Sequence, residues 1–195
     1  MTDAGLKADL QNYLQRGRED ILWKLDGLSE YDVRRPMTRT GSNLLGLVKH
    51  LAYMELEYFG EVFGRPAEEA LVWEDQPAPN VDMWATGEES REHIVGLYRR
   101  AWAHADATIL GRELESPGTV PWWPPERRQV TLHQVLVHAT AETHRHAGHA
   151  DIIRELIDGA VGLRATRPNL PDGDGAWWAD YRDRLETVAR QAAGA

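Results

Sequence analysis

Four stretches of this chain repeat apolar residues at steps of three and four, and none alternates as a strand would. That periodicity constrains the fold more than any other feature, because each stretch must bury one helical stripe. The first stripe runs through Leu6, Leu10, Leu14, Gly17, Ile21, Leu25 and Leu28, with Gly27 near the helix end. Ser42 is positioned to cap the second, which carries Leu44, Leu47, Val48, Leu51, Tyr58 and Val62 and stops at Gly64-Arg65-Pro66. Ser90 opens the third, with Ile94, Leu97, Tyr98, Ala101, Trp102, Ala105, Thr108 and Ile109. Thr131 opens the fourth, whose stripe passes through Val135, Leu136, Ala139, Thr143, His146, Ala150 and Ile153 and ends at Asp158-Gly159. A short last helix over 176–192 carries Trp177, Trp178, Tyr181, Leu185 and Val188. The spacing predicts an all-α four-helix bundle with residues 1–195 in one domain. The long Pro-bearing link between helices two and three permits a crossover there.

Composition narrows the function classes. Lys and Arg number 22 against 31 Asp and Glu, a net charge of −9, which argues against a nucleic-acid partner. No apolar run approaches the roughly 20 residues that cross a bilayer, and the start Met1-Thr2-Asp3 lacks a signal peptide's basic and apolar segments. The expectation is a cytoplasmic protein with no membrane partner. The chain has no cysteine, so any thiol chemistry must use a thiol from another molecule. Five of the eight histidines lie between His133 and His149, in the fourth helix.

In that helix Glu142 and His146 project about 40° apart, one turn from each other, a spacing that lets both bind one cation. His149 lies on Glu142's side, His138 just beyond, and His144 about 160° from His146, toward solvent. One helix cannot surround an ion, so a third ligand must come from another. His50, the only histidine in the first two helices, is the natural choice. Two histidines and a carboxylate leave coordination positions open, as a catalytic metal requires. The ordinary alternative is that these are hydrogen-bonded residues at the stripe's rim. His93 and His104 read as surface positions. Glu55, inside the second stripe, reads as a buried structural carboxylate tied to a loop. Trp73, Trp84, Trp122 and Trp123 either wall a ligand cleft or simply lid the bundle's end.

The segment Gly41-Ser-Asn-Leu-Leu-Gly-Leu-Val-Lys-His50-Leu resembles the helix-two motif of the DinB-like superfamily. His146-Ala-Gly-His149-Ala-Asp151-Ile-Ile-Arg-Glu-Leu-Ile-Asp158-Gly159 resembles the helix-four motif of its actinobacterial branch, and Trp177-Trp178-Ala-Asp-Tyr181 fits that branch too. The resemblance implies a DinB-like four-helix bundle with a crossover between helices two and three, often a homodimer. It implies a divalent metal, zinc or nickel, on His50, Glu142 and His146. Many members carry histidine where this chain has Glu142; the mycothiol-dependent maleylpyruvate isomerases, with a His, Glu, His set, are more similar. Many also carry glutamine where this chain has His149, which is therefore expected to contact substrate or a bound water.

The function so implied is metal-dependent S-transfer from a low-molecular-weight thiol, mycothiol or a similar one, to a small electrophile. A coordinated thiol loses its proton and becomes the nucleophile. Arg127, Arg128 and Arg154 are candidates for holding the thiol cofactor, with Trp84 and Trp122 as cleft walls. Two other classes stand beside this one. A non-catalytic stress or detoxification module with a vestigial metal site is one. A non-haem iron oxygenase, which uses the same donor set on other folds, is the other.

Overall fold

The computed structural model describes residues 3–68, 71 and 78–194. Among them the elements are helical apart from one small ribbon: α1 (Asp3–Leu22), α2 (Glu30–Arg34), α3 (Leu44–Phe59), α4 (Arg91–Leu110), α5 (Leu132–Asp158) and α6 (Gly175–Ala193). The expected all-α bundle is the observed architecture. The helix starts follow their caps. The Ser90 side chain accepts from the His93 N–H, and Thr131 with Gln134 forms a full capping box. The second long helix is capped by Asn43, one residue later than expected, whose side chain accepts from the Gly46 N–H at 2.8 Å. Gly159 ends α5 in the left-handed conformation, at φ 76°.

The core is built around α3, which is buried on every side except at His50 and Glu57. It packs against α4 and α5, while α1 packs against α5. Because α3 is enclosed, its polar residues need partners inside the protein. Glu55 finds one in Arg18 of α1, not in a loop: two nitrogens of the guanidinium meet its two oxygens at 2.9 and 2.5 Å, and both side chains are fully buried. Lys49 reaches out to Glu89 at 2.8 Å and to the Trp84 carbonyl at 3.1 Å, tying α3 to the segment before α4.

Three features depart from the sequence reading. Pro117–Thr119 (β1) and Gln129–Thr131 (β2) form an antiparallel ribbon in which Gly118 faces Val130. Three-residue strands are too short to show alternation. The last helix is not short: α6 spans 19 residues, nearly the length of α1. None of its residues is buried. Finally, His144 does not point to solvent. It is half-buried against α1, within hydrogen-bond reach of the Tyr13 carbonyl at 3.0 Å.

One glycine sets the approach of a loop that matters below. A Cβ on Gly46 would stand 1.9 Å from the Met83 carbonyl oxygen, a backbone atom that cannot swing aside. Asn43 holds the same carbonyl at 3.2 Å through its side-chain amide. Gly46→Ala is expected to push away the 3-10 turn Val81–Met83 and to destabilise the protein by about 1–3 kcal/mol, the range for overpacking. Thermal unfolding of the variant checks the second effect.

Candidate metal centre

His50 lies in the second turn of α3, and Glu142 and His146 lie one turn apart near the middle of α5. The packing of α3 on α5 brings the rings of His50 and His146 edge to face, with centroids 4.9 Å apart. One ligand atom from each of His50, Glu142 and His146 falls within 4.8 Å of the others. Two donors each about 2.0–2.2 Å from one zinc ion can be at most about 4.4 Å apart, so the cluster needs little adjustment to share a cation. His146 Nε2 and Glu142 Oε1 are already 3.1 Å apart.

Each histidine has a further partner that fixes its ring. His50 Nδ1 lies 2.6 Å from Asp82 Oδ2, which leaves its Nε2 to face an ion. This carboxylate–histidine arrangement is how ligating imidazoles are oriented and made more basic. The His50 hydrogen bond lowers the Asp82 carboxyl below its ordinary value, against the opposing effect of burial. On the other ring, His146 Nδ1 meets His149 Nδ1 at 3.3 Å. Burial, and then the neighbouring His50, lowers His146 to about 4. The His146 ring is therefore uncharged at physiological pH, and its contact with Glu142 is a hydrogen bond and not an ion pair. A neutral imidazole is the form that ligates.

Beside the cluster is a cleft of 260 Å³, bordered by His50 and Glu142 and walled by Met54, Tyr58, Trp122 and His138, with Glu57 and Asp82 completing the lining. Trp122 stands edge-on to Tyr58 at 5.3 Å, and the Trp123 indole N–H donates to the Tyr58 hydroxyl at 3.1 Å. The loop closing the β-ribbon thus hangs over α3 and α5. Burial holds His138 below its ordinary value, so it too is neutral. Among the described residues three carboxylates line the cleft and no lysine or arginine does. That imbalance creates a potential suited to a cation.

The expected site residues divide as follows. His50, Glu142 and His146 come together, with His149 behind His146. Trp122 borders the cleft. Arg127 is exposed and outside the cleft lining, with its guanidinium over the Trp123 ring at 5.6 Å. Arg128 donates to the Trp123 carbonyl at 2.7 Å and so shapes the loop. Arg154 is elsewhere. It is buried at the far end of α5, donating to the Lys24 and Asp26 carbonyls at 2.9 and 2.8 Å and paired with Asp158. It clamps α5 to the end of α1 and has no guanidinium edge left for a cofactor. Trp84 is half-exposed and outside the cleft lining, and Trp177 and Tyr181 stack on each other on α6. Trp73 lies outside the described residues. His93 is exposed as expected, whereas His104 is half-buried, 2.8 Å from the Arg65 carbonyl.

Two cleft residues escaped the sequence reading. Glu57 follows His50 by seven residues and so returns to the same face of α3, about 20° away, a signal that was available. Asp82 had none, since its place depends on how the loop folds back over Gly46.

With the geometry in hand, comparison with known proteins adds one finding. The sequence model of a family described as Mycothiol-S-transferase matches residues 9–159, which span every residue of the cluster and cleft. Comparison with curated proteins gives no match.

Proposed function

Since the chain belongs to the mycothiol S-transferase family, we propose that it is a metal-dependent enzyme that transfers a low-molecular-weight thiol, mycothiol first among them, to a small electrophile. The observation that carries this reading is the convergence of His50, Glu142 and His146 from two helices at the edge of a cleft. Two imidazole nitrogens and one carboxylate oxygen are a donor set for zinc or nickel that leaves positions open to an outside ligand. A divalent ion held there supplies a Lewis acid that favours the ionised, nucleophilic form of a thiol at neutral pH.

The chain's own residues do the rest. Asp82 keeps the His50 ring turned so that Nε2 faces the site. His149 does the same for His146 through Nδ1, a positioning role rather than direct contact with substrate. Tyr58 and Trp122 give the cleft apolar walls for an organic electrophile. Arg127 stands outside those walls, where it can meet polar groups of a thiol cofactor. With no cysteine in the chain, the electrophile finds no competing protein thiol.

The test is to measure metal content of the purified protein and then thiol consumption with a set of electrophiles. Stoichiometric zinc or nickel, turnover that a chelator removes and turnover that added metal restores are the expected results. Stoichiometric metal with no thiol turnover would favour the binding-module reading instead. Iron with oxygen consumption would favour the oxygenase.

A further inference from the structure

A half-buried carboxylate without a partner is uncommon, and the cleft contains one. Glu57 lies two turns along α3 from His50, on the same face, and lines the same cavity as Glu142 and Trp122. Among the described residues no hydrogen bond or ion pair engages its side chain. The other carboxylates of the cleft are occupied, Asp82 by His50 and Glu142 by His146. Glu55, two residues back on another face, is held by Arg18.

From this geometry we propose that Glu57 is the proton-transfer group of the site, resting on the thiol-transfer reading above. In the step assigned to it, the S–H bond of the incoming thiol breaks and its proton goes to the Glu57 carboxylate. The S–C bond then forms. Glu57 returns the proton to the atom that receives the electron pair: the leaving group in a displacement, or the carbon α to the carbonyl in a conjugate addition. No oxidant or reductant is needed.

The electrostatics of the position suit that task. Burial, then the neighbouring Asp82 and Glu61 carboxylates, raises Glu57 to about 7, with His50 opposing. Tyr58, His138 and Glu142 are the other titratable groups facing the same cavity. A carboxyl that titrates near neutrality can both accept and release a proton at working pH. A cation on His50 would lower that value and a thiolate bound beside it would raise it again, so about 7 is the value of the metal-free protein.

Glu57→Gln keeps the size of the side chain and removes its proton chemistry. Carbon-13 NMR of the metal-free protein should show one glutamate carboxyl titrating near 7, absent from the variant. In metal-loaded protein at about pH 7.5, where a free thiol with a pKa near 8.5 is mostly protonated, calorimetry in buffers of different ionisation enthalpy counts the protons released as mycothiol binds. In the wild type the new thiolate raises Glu57, which keeps part of the thiol's proton, so the release should be measurably below that of the variant. Glu57→Gln should release close to one per thiol, because the internal acceptor is gone. With acrylamide as acceptor, kcat should fall by about 10²–10⁴-fold, the usual worth of general acid–base catalysis, with little change in KM for the thiol.

The variant should fold. A carboxyl whose pKa is raised on folding loses stability as pH rises from its unfolded value, about 4.3, toward 7. The glutamine variant escapes that loss and should melt at or above the wild type above pH 7. Equal proton release and a kcat within about twofold of wild type would overturn the assignment while leaving thiol transfer intact. A wild-type protein that binds no mycothiol would overturn the transfer reading and this role with it.

Discussion

His50→Ala is expected to leave the bundle folded and unable to retain a metal. The side chain is partly exposed at the mouth of the cleft, so its removal opens little of the core. What it removes is the single donor contributed by α3, without which the two on α5 are a pair one turn apart on one helix. Asp82→Asn gives the graded companion to that result. It leaves all three donors in place but weakens the acceptor that orients His50. Loss of such a partner typically costs about 10–100-fold in metal affinity. Glu142→Gln should fall between the two, since it preserves shape and removes the charge that offsets the cation. Competition against a chromophoric chelator measures all three. The order His50→Ala, then Glu142→Gln, then Asp82→Asn in decreasing severity is the signature of a site built as described. Unchanged stoichiometry in His50→Ala would mean that any ion sits elsewhere. Far-ultraviolet circular dichroism of each metal-free variant separates lost ligation from lost fold.

The parts of this site that could be read from the sequence are those fixed by local geometry. Glu142 and His146 share a face because an α-helix returns after four residues, whatever it packs against. Ser90, Thr131 and Gly159 mark helix ends because a cap acts within one turn of its own residue. His50 was legible as a candidate donor because it is the only histidine of the first two helices and flanks the second stripe, and from the resemblance of its motif. Asp82 was not, because its position follows from the contact between Gly46 and the Met83 carbonyl across 37 residues of sequence. Arg154 shows the converse: a basic residue on the functional helix looks available until its carbonyl partners at the end of α1 are seen. His144 shows a third limit. A helical projection gives its direction away from His146 but not the neighbour waiting there, and α1 occupies what would otherwise be solvent. Gly17 makes that approach possible, since a Cβ there would stand 2.9 Å from Thr143 Cγ2 and 3.2 Å from His144 Nε2.

The largest loss of stability is expected from Glu55→Ala. Arg18 and Glu55 are both fully buried, and the guanidinium also reaches Asp106 at 2.9 Å and lies 5.6 Å from the Trp102 ring. Burial works against the charge on Arg18, but Glu55 and then Asp106 outweigh it and raise its pKa above the ordinary value. Burial likewise pushes Glu55 up while Arg18 pulls it down, and the two-point contact favours the ionised pair. Removing the carboxylate leaves a buried cation facing only a half-exposed aspartate. Breaking a buried pair in this way costs about 3–5 kcal/mol. At about 2–4 °C per kcal/mol for a chain of this size, the melting temperature should fall by roughly 6–20 °C. Replacing both partners, as in Arg18→Met with Glu55→Leu, should recover most of that loss, because an apolar pair of similar volume needs no desolvation of charge. The comparison decides what the pair is for. If the double variant is stable yet binds metal more weakly, the ion pair serves to hold α3 in register with α1 and so to keep His50 opposite Glu142 and His146. If it is stable and binds metal as the wild type does, apolar packing alone sets that register.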